Sequence, residues 1–182
     1  MRITKLLFAG LFTLTACGGA SPVQPADDPP DPAVERTAAI YATVIRQVTT
    51  TSDSTFGKHP NFPVIYVVDR IDPRSGDPED LKKKGEPISE DVKEAILEEL
   101  ADLPVEFISD EDEVVTPVEE GGGVEENGVV VTVGEITGDE NRVEVGTSLY
   151  AGPLAGTWLT YEVQGAGTDW EVTGTIGPIA IS

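Results

Sequence analysis

"GVVVTVGEITGDENRVEVGTSLY" (residues 128–150) switches the hydrophobic period of this chain to two. Two β-rich runs flank "TGDEN" (137–141), whose glycine and asparagine suit a hairpin turn. In the second run Val143, Val145, Thr147 and Leu149 share one face, and Arg142, Glu144, Gly146, Ser148 and Tyr150 share the other. "GTWLTYEVQ" (156–164) alternates again, setting Leu159, Tyr161 and Val163 opposite Trp158, Thr160 and Glu162. "GAGTD" (165–169) reads as the next turn, and "WEVTGTIGPIAIS" (170–182) as a closing strand. The C-terminal part is therefore an antiparallel meander.

Upstream the period is that of helices. Asp31 and Pro32 read as an N-cap and a first helical position, and Tyr41, Val44, Ile45 and Val48 form an apolar stripe. That helix fades in "TTTSDSTFG" (49–57). "FPVIYVVDR" (62–70) holds an unbroken apolar run, Val64–Val68, which suits a strand buried on both faces. Ser89 caps a second helix with Glu90 and Asp91 at its positive end. Val92, Ala95, Ile96, Leu100 and Leu103 make its buried stripe, and Pro104 is expected to stop it. "VEFIS" (105–109) follows as a short strand. The expected class is α+β: an antiparallel sheet with two helices packed on one face.

The first residues carry a different message. Arg2 and Lys5 precede an apolar run, Leu6 to Leu14, too short to span a bilayer but long enough for a signal-peptide core. Leu14-Thr15-Ala16-Cys17 resembles the lipobox of bacterial lipoproteins, with a small residue before the cut and the cysteine after it. The resemblance implies a signal peptide over 1–16 and lipidation of Cys17. Each buried CH₂ of an acyl chain contributes about 0.8 kcal/mol and one chain holds only marginally, so the two or three chains of such processing would keep the protein at the membrane. Cys17 is the only cysteine, which then leaves no thiol for a disulfide or a nucleophile. Residues 17–33 continue as a Pro- and Asp-rich linker that cannot bury a core, and 34–182 read as one acidic domain.

Charge narrows the partners. The chain has 12 basic and 33 acidic residues; without Arg2 and Lys5 the remainder carries −23. Such a charge repels nucleic acid and anionic headgroups, so no nucleic-acid partner is expected. The membrane is reached through the lipid, and the body is left with an envelope protein or a small molecule as its partner.

Candidate chemistry is sparse. His59 is the only histidine and would have to serve as general base in any Ser-His-Asp hydrolase, yet no G-x-S-x-G elbow accompanies it. One histidine cannot supply a zinc site. Asp69, Asp72, Asp77 and Asp80 lie in one stretch with Gly76, and Asp110 to Glu113 form a second acidic cluster. Calcium takes about six to eight oxygen ligands, so the first group is a candidate calcium site, although its spacing is not that of an EF-hand. No other cofactor is implied. Tyr150 and Trp158, with Trp170, are candidates for one sheet face, either as ligand-binding residues or as packing beneath the acidic loops. The small residues of "AGPLAG" (151–156) suit a tight turn and leave room for a ligand near Tyr150.

"SLYAGPLAGTWLTYEVQGAGTDWEVTGTIGPIAIS" (148–182), with "FPVIYVVDR" and "GEPISEDVKEAI" (85–96), resembles an uncharacterised group of exported bacterial proteins and lipoproteins. The resemblance implies architecture and location, with no activity attached. Some members of that group place cysteines where this chain has Ala151 and Ala155, so a disulfide at that turn is absent here. The closing Trp, Tyr and Trp pattern is also similar to the last hairpin of cystatin- and NTF2-like domains. The expectation is a lipid-anchored protein on the extracytoplasmic side of a bacterial membrane, acting as a non-catalytic binding or envelope-interaction module. The alternatives are a hydrolase using loop carboxylates or His59, and a calcium-stabilised acidic domain.

Overall fold

The computed structural model describes residues 31–51, 53, 60–79, 85–117, 119 and 121–182. Cys17, the leader, most of the linker, His59 and Asp80 lie outside the described residues.

Helix α1 spans Pro32–Thr50. Asp31 Oδ1 accepts from the Ala33 amide at 2.9 Å, and Pro32 occupies the first turn, where its missing N–H costs no helical bond. Tyr41, Val44, Ile45 and Val48 are all buried. At the other end Thr49, Thr50 and Thr51 each donate a hydroxyl to the carbonyl four residues back, at 2.7 Å. The three hydroxyls back-bond carbonyls of the last turns, Gln47 among them, that also accept backbone amides, a local alternative that weakens the helix where it ends.

Strand β1 (Ile65–Ile71) is followed by helix α2 (Glu90–Glu99), strand β2 (Val105–Ile108) and the four strands β3 (Val129–Gly138), β4 (Arg142–Gly152), β5 (Ala155–Ala166) and β6 (Asp169–Ile181). Together the strands form one sheet in the order β2-β1-β3-β4-β5-β6. The class is α+β, as the hydrophobic periods require. The sheet itself is mixed: β3 to β6 are antiparallel, whereas β1 runs parallel to both β2 and β3. Each connection, α2 between β1 and β2 and the long segment between β2 and β3, carries the chain back to the end of the sheet where β1 began. A strand flanked by two parallel neighbours and covered on both faces explains the unbroken apolar run Val64–Val68, all of it buried.

Helix α2 departs from expectation at its end. Ser89 Oγ accepts from the Val92 amide at 3.4 Å, but the helix stops at Glu99 with Leu100 as its cap. Leu103 donates its amide to the Leu100 carbonyl at 2.8 Å and packs on the core from this tight turn. The chain has therefore left the helix before Pro104 could break it.

Both helices cover one face. Ile40, Val44, Ile45 and Val48 of α1 and Val92 and Ile96 of α2 meet Val131, Val145, Leu149, Leu159, Tyr161 and Val163 of the sheet. The opposite face carries a second cluster in which Val114 and Val124, from the connection between β2 and β3, lie over Val64, Tyr66, Val68 and Val130. The carboxylates of that connection organise its own backbone: Glu113 Oε1 accepts from the Ser109 and Asp110 amides at 3.0 and 2.9 Å, closing a capping box with Asp110. Among the described residues no helix is long and apolar enough to cross a membrane.

Candidate functional site

The back of the sheet, away from the helices, holds a cavity of about 380 Å³. Its floor comes from β3 and β4, where Thr132 pairs with Ser148, and from β5, where Trp158 pairs with Ser148 and Gly156 with Tyr150. Tyr150 and Trp158 thus stand on one face of adjacent strands, diagonal to each other. The indole of Trp158 bends along its own strand. A Cβ on Gly156 would lie 2.6 Å from its Cη2 and 2.8 Å from its Cζ3, so the ring fills the space that a side chain at 156 would take. Gly156 is the cross-strand partner of Tyr150, and both aromatic side chains line the same cavity. The room that "AGPLAG" leaves beside Tyr150 is therefore occupied at Gly156 by Trp158 itself.

The loop after β1 makes one wall. It lies directly on the sheet: a Cβ on Gly146 would be 2.7 Å from the Gly76 nitrogen, and one on Gly76 would be 2.5 Å from Thr160 Oγ1. Only a pair of glycines permits that approach. Asp72, just beyond the strand, donates its amide to the Val133 carbonyl at 2.8 Å and is buried. Arg74 grips it with Nε to Oδ1 at 3.2 Å and Nη2 to Oδ2 at 2.9 Å. The same guanidinium lies 3.9 Å from Glu111 of the β2–β3 connection, which forms the opposite wall with Asp112. The hydrogen bond to Asp72 is the main reason that the Arg74 guanidinium is held even more firmly protonated than usual.

Beneath the floor, Ser75 Oγ, Thr132 Oγ1 and Ser148 Oγ form a chain with both links at 2.7 Å. Three hydroxyls joined by two bonds have one hydrogen to spare. Ser75 is 1% exposed; a spare hydrogen there would be buried without an acceptor, at a cost of about 1–3 kcal/mol. With Ser75 as donor to Thr132 that cost is avoided, and the spare hydrogen falls on Thr132 or Ser148, both of which line the cavity. Tyr150 donates its hydroxyl to the Gly122 carbonyl at 3.4 Å, and burial first, then the charge of Glu111, raises its phenol above the ordinary range.

The structure brings together Tyr150, Trp158 and Asp72 and separates other candidates. Trp170 lies on the helix side, buried under Arg36, whose guanidinium carbon stands 4.9 Å from the ring centroid. The register explains this correction: Gly165 pairs with Trp170 and Val163 with Val172, which puts Trp170 in phase with Tyr161 and Val163. The aspartates are dispersed as well. Asp69 lies 3.8 Å from Lys93 of α2, Asp72 faces the back of the sheet with Arg74, and Asp77 Oδ1 accepts from the Glu79 amide at 2.9 Å. Among the described residues no three His, Cys, Asp or Glu side chains come together as a possible metal site. Arg74, Thr132 and Ser75 join the site without a sequence motif. The one signal for Thr132 is its place as the polar residue of a valine-rich strand, between Val131 and Val133.

No protein-family model matches the chain, and no curated protein or solved structure matches it significantly.

Proposed function

We propose that this chain is a lipid-anchored binding protein of the bacterial envelope whose ligand site is the aromatic cavity on the back of the sheet. The observation that carries the binding role is that Tyr150 and Trp158, on neighbouring strands, line one concavity with polar groups from two separate loops and with Pro78 and Val115. Few convergent polar groups around aromatic walls, at a volume of about 300–1,000 Å³, are the usual composition of a small-molecule site. The anchor rests on the Leu14–Cys17 box and the basic, apolar leader before it.

Two measurements test the two halves. Thermal melting against a panel of amines, amino acids and saccharides should give a hit whose stabilisation disappears in Trp158→Ala; a ligand present at about 100 times its dissociation constant adds about 2.7 kcal/mol. A panel without effect, or a hit indifferent to Trp158→Ala, removes the cavity as the site. Cys17→Ser should release the protein from the membrane fraction and abolish acyl labelling, and persistence of both would exclude lipidation at Cys17.

A further inference from the structure

The cavity has a charge as well as a shape. Asp72, Glu111 and Asp112 line it with Arg74 as the only cation among the described lining residues, and Asp72 takes the Nε and Nη2 edge of that guanidinium. Its charge is set chiefly against Asp72, with Glu111 3.9 Å away, and three carboxylates to one guanidinium leave the lining with an excess of negative charge. Tyr150 and Trp158 add two π-systems to the lining, whose faces attract positive charge. Acidic rim and aromatic wall therefore select for the same sign, and the negative charge of the whole chain draws such a ligand in.

We propose that this cavity binds a small organic ammonium compound, its cationic head against the Tyr150 and Trp158 rings and beside Glu111. This rests on the reading of the cavity as the ligand site and adds the chemical class. The hydroxyl pair Thr132 and Ser148, with a hydrogen to spare, offers a donor to an oxygen elsewhere on the ligand. The free compound is favoured over a lipid headgroup, because a phosphate attached to the same cation would meet Glu111 and Asp112.

The test uses choline, its uncharged carbon isostere 3,3-dimethylbutan-1-ol, and phosphocholine, titrated into the full chain in a non-ionic detergent. The readout is the Trp158 indole N–H resonance, with Trp170 on the other face as the internal control. Choline should shift Trp158 alone and bind at least tenfold more tightly than either comparison compound. Glu111→Gln, at a half-exposed position that tolerates the change, should weaken choline severalfold and leave the isostere unchanged, with melting unaltered. Equal binding of choline and the isostere would overturn the cationic class while leaving the cavity a ligand site. Tighter binding of phosphocholine would overturn the assignment to a free cation. Absence of any Trp158 shift with choline would overturn the ammonium proposal itself, and the panel melt with Trp158→Ala then decides separately whether the cavity binds anything.

Discussion

The indole of Trp158 lies over Gly156, the residue that faces Tyr150 across the β4–β5 ladder. One missing side chain thus sets the position of one aromatic wall and its distance from the other.

Gly156→Ala should disturb this arrangement directly. The new Cβ would sit 2.6 Å from the indole and 2.8 Å from Ser182 Oγ, so the ring must leave its position. Overpacking of this kind costs about 1–3 kcal/mol. Trp158 is partly exposed and can move outward, which places the loss at the low end. Near-ultraviolet circular dichroism and a chemical melt check the two effects; an unchanged aromatic spectrum would show that the indole does not depend on Gly156.

Arg74→Met tests the wall made by the loop after β1. Asp72 is only 4% exposed, and the substitution leaves its carboxylate without the guanidinium that grips it. Loss of about 1–3 kcal/mol is expected, discounted from a fully buried pair because the Arg74 side chain is 42% exposed. Asp72→Asn in the Arg74→Met background should recover part of it, since a neutral amide no longer buries a charge. A denaturation series on the two single variants and the double variant reads this coupling, and strict additivity would remove it.

Alkaline pH should unfold the protein through its buried tyrosines. Burial, with the Glu135 charge second, pushes the Tyr41 phenol up to about 12, and burial, with Asp53 second, raises Tyr161 further. A folded pKa above the unfolded one, about 10 for tyrosine, means that the stabilisation is full below pH 10 and is lost as pH rises toward the folded value. Each such phenol removes about 1.4 kcal/mol per pH unit in that window. Tyr41→Phe sacrifices the 3.2 Å bond to the Gly134 carbonyl and lowers stability at pH 8 by about 1 kcal/mol, but should flatten the fall above pH 10. Parallel melting curves for both proteins from pH 8 to 11.5 would contradict the assignment to Tyr41.

Calcium and plain salt should act alike. With Asp69 set toward Lys93, Asp72 held by Arg74 and Asp77 capping its own turn, the aspartates share no centre among the described residues. Screening of mutual repulsion then accounts for any stabilisation. Millimolar calcium and sodium chloride of matched ionic strength should raise the melting temperature equally, and a rise specific to calcium, reversed by a chelator, would reinstate the calcium-stabilised reading.

The chain by itself determined the elements and the face that each buries. Asp31-Pro32, the 41–44–45–48 stripe and Ser89 define the helices by contacts within a few residues. The alternation in β4 and β5 separates Leu149, Leu159 and Tyr161 from Tyr150 and Trp158 in the same way. Those are local properties, set by periods of 3.6 and 2. Only the tertiary structure decided how the periods are phased against one another. Alternation leaves open which face of the neighbouring strand a residue joins, and the β5–β6 register took Trp170 to the helix side. Strand direction was equally non-local: β1 became parallel to β3 because α2 and the β2–β3 connection each return the chain along the sheet to the end where β1 begins, over opposite faces. The cavity follows from the same cause. Arg74, Glu111, Ser148 and Trp158 are distant along the chain, and they meet because Gly76 seats a loop on Gly146 and the β2–β3 connection closes over the sheet beside it.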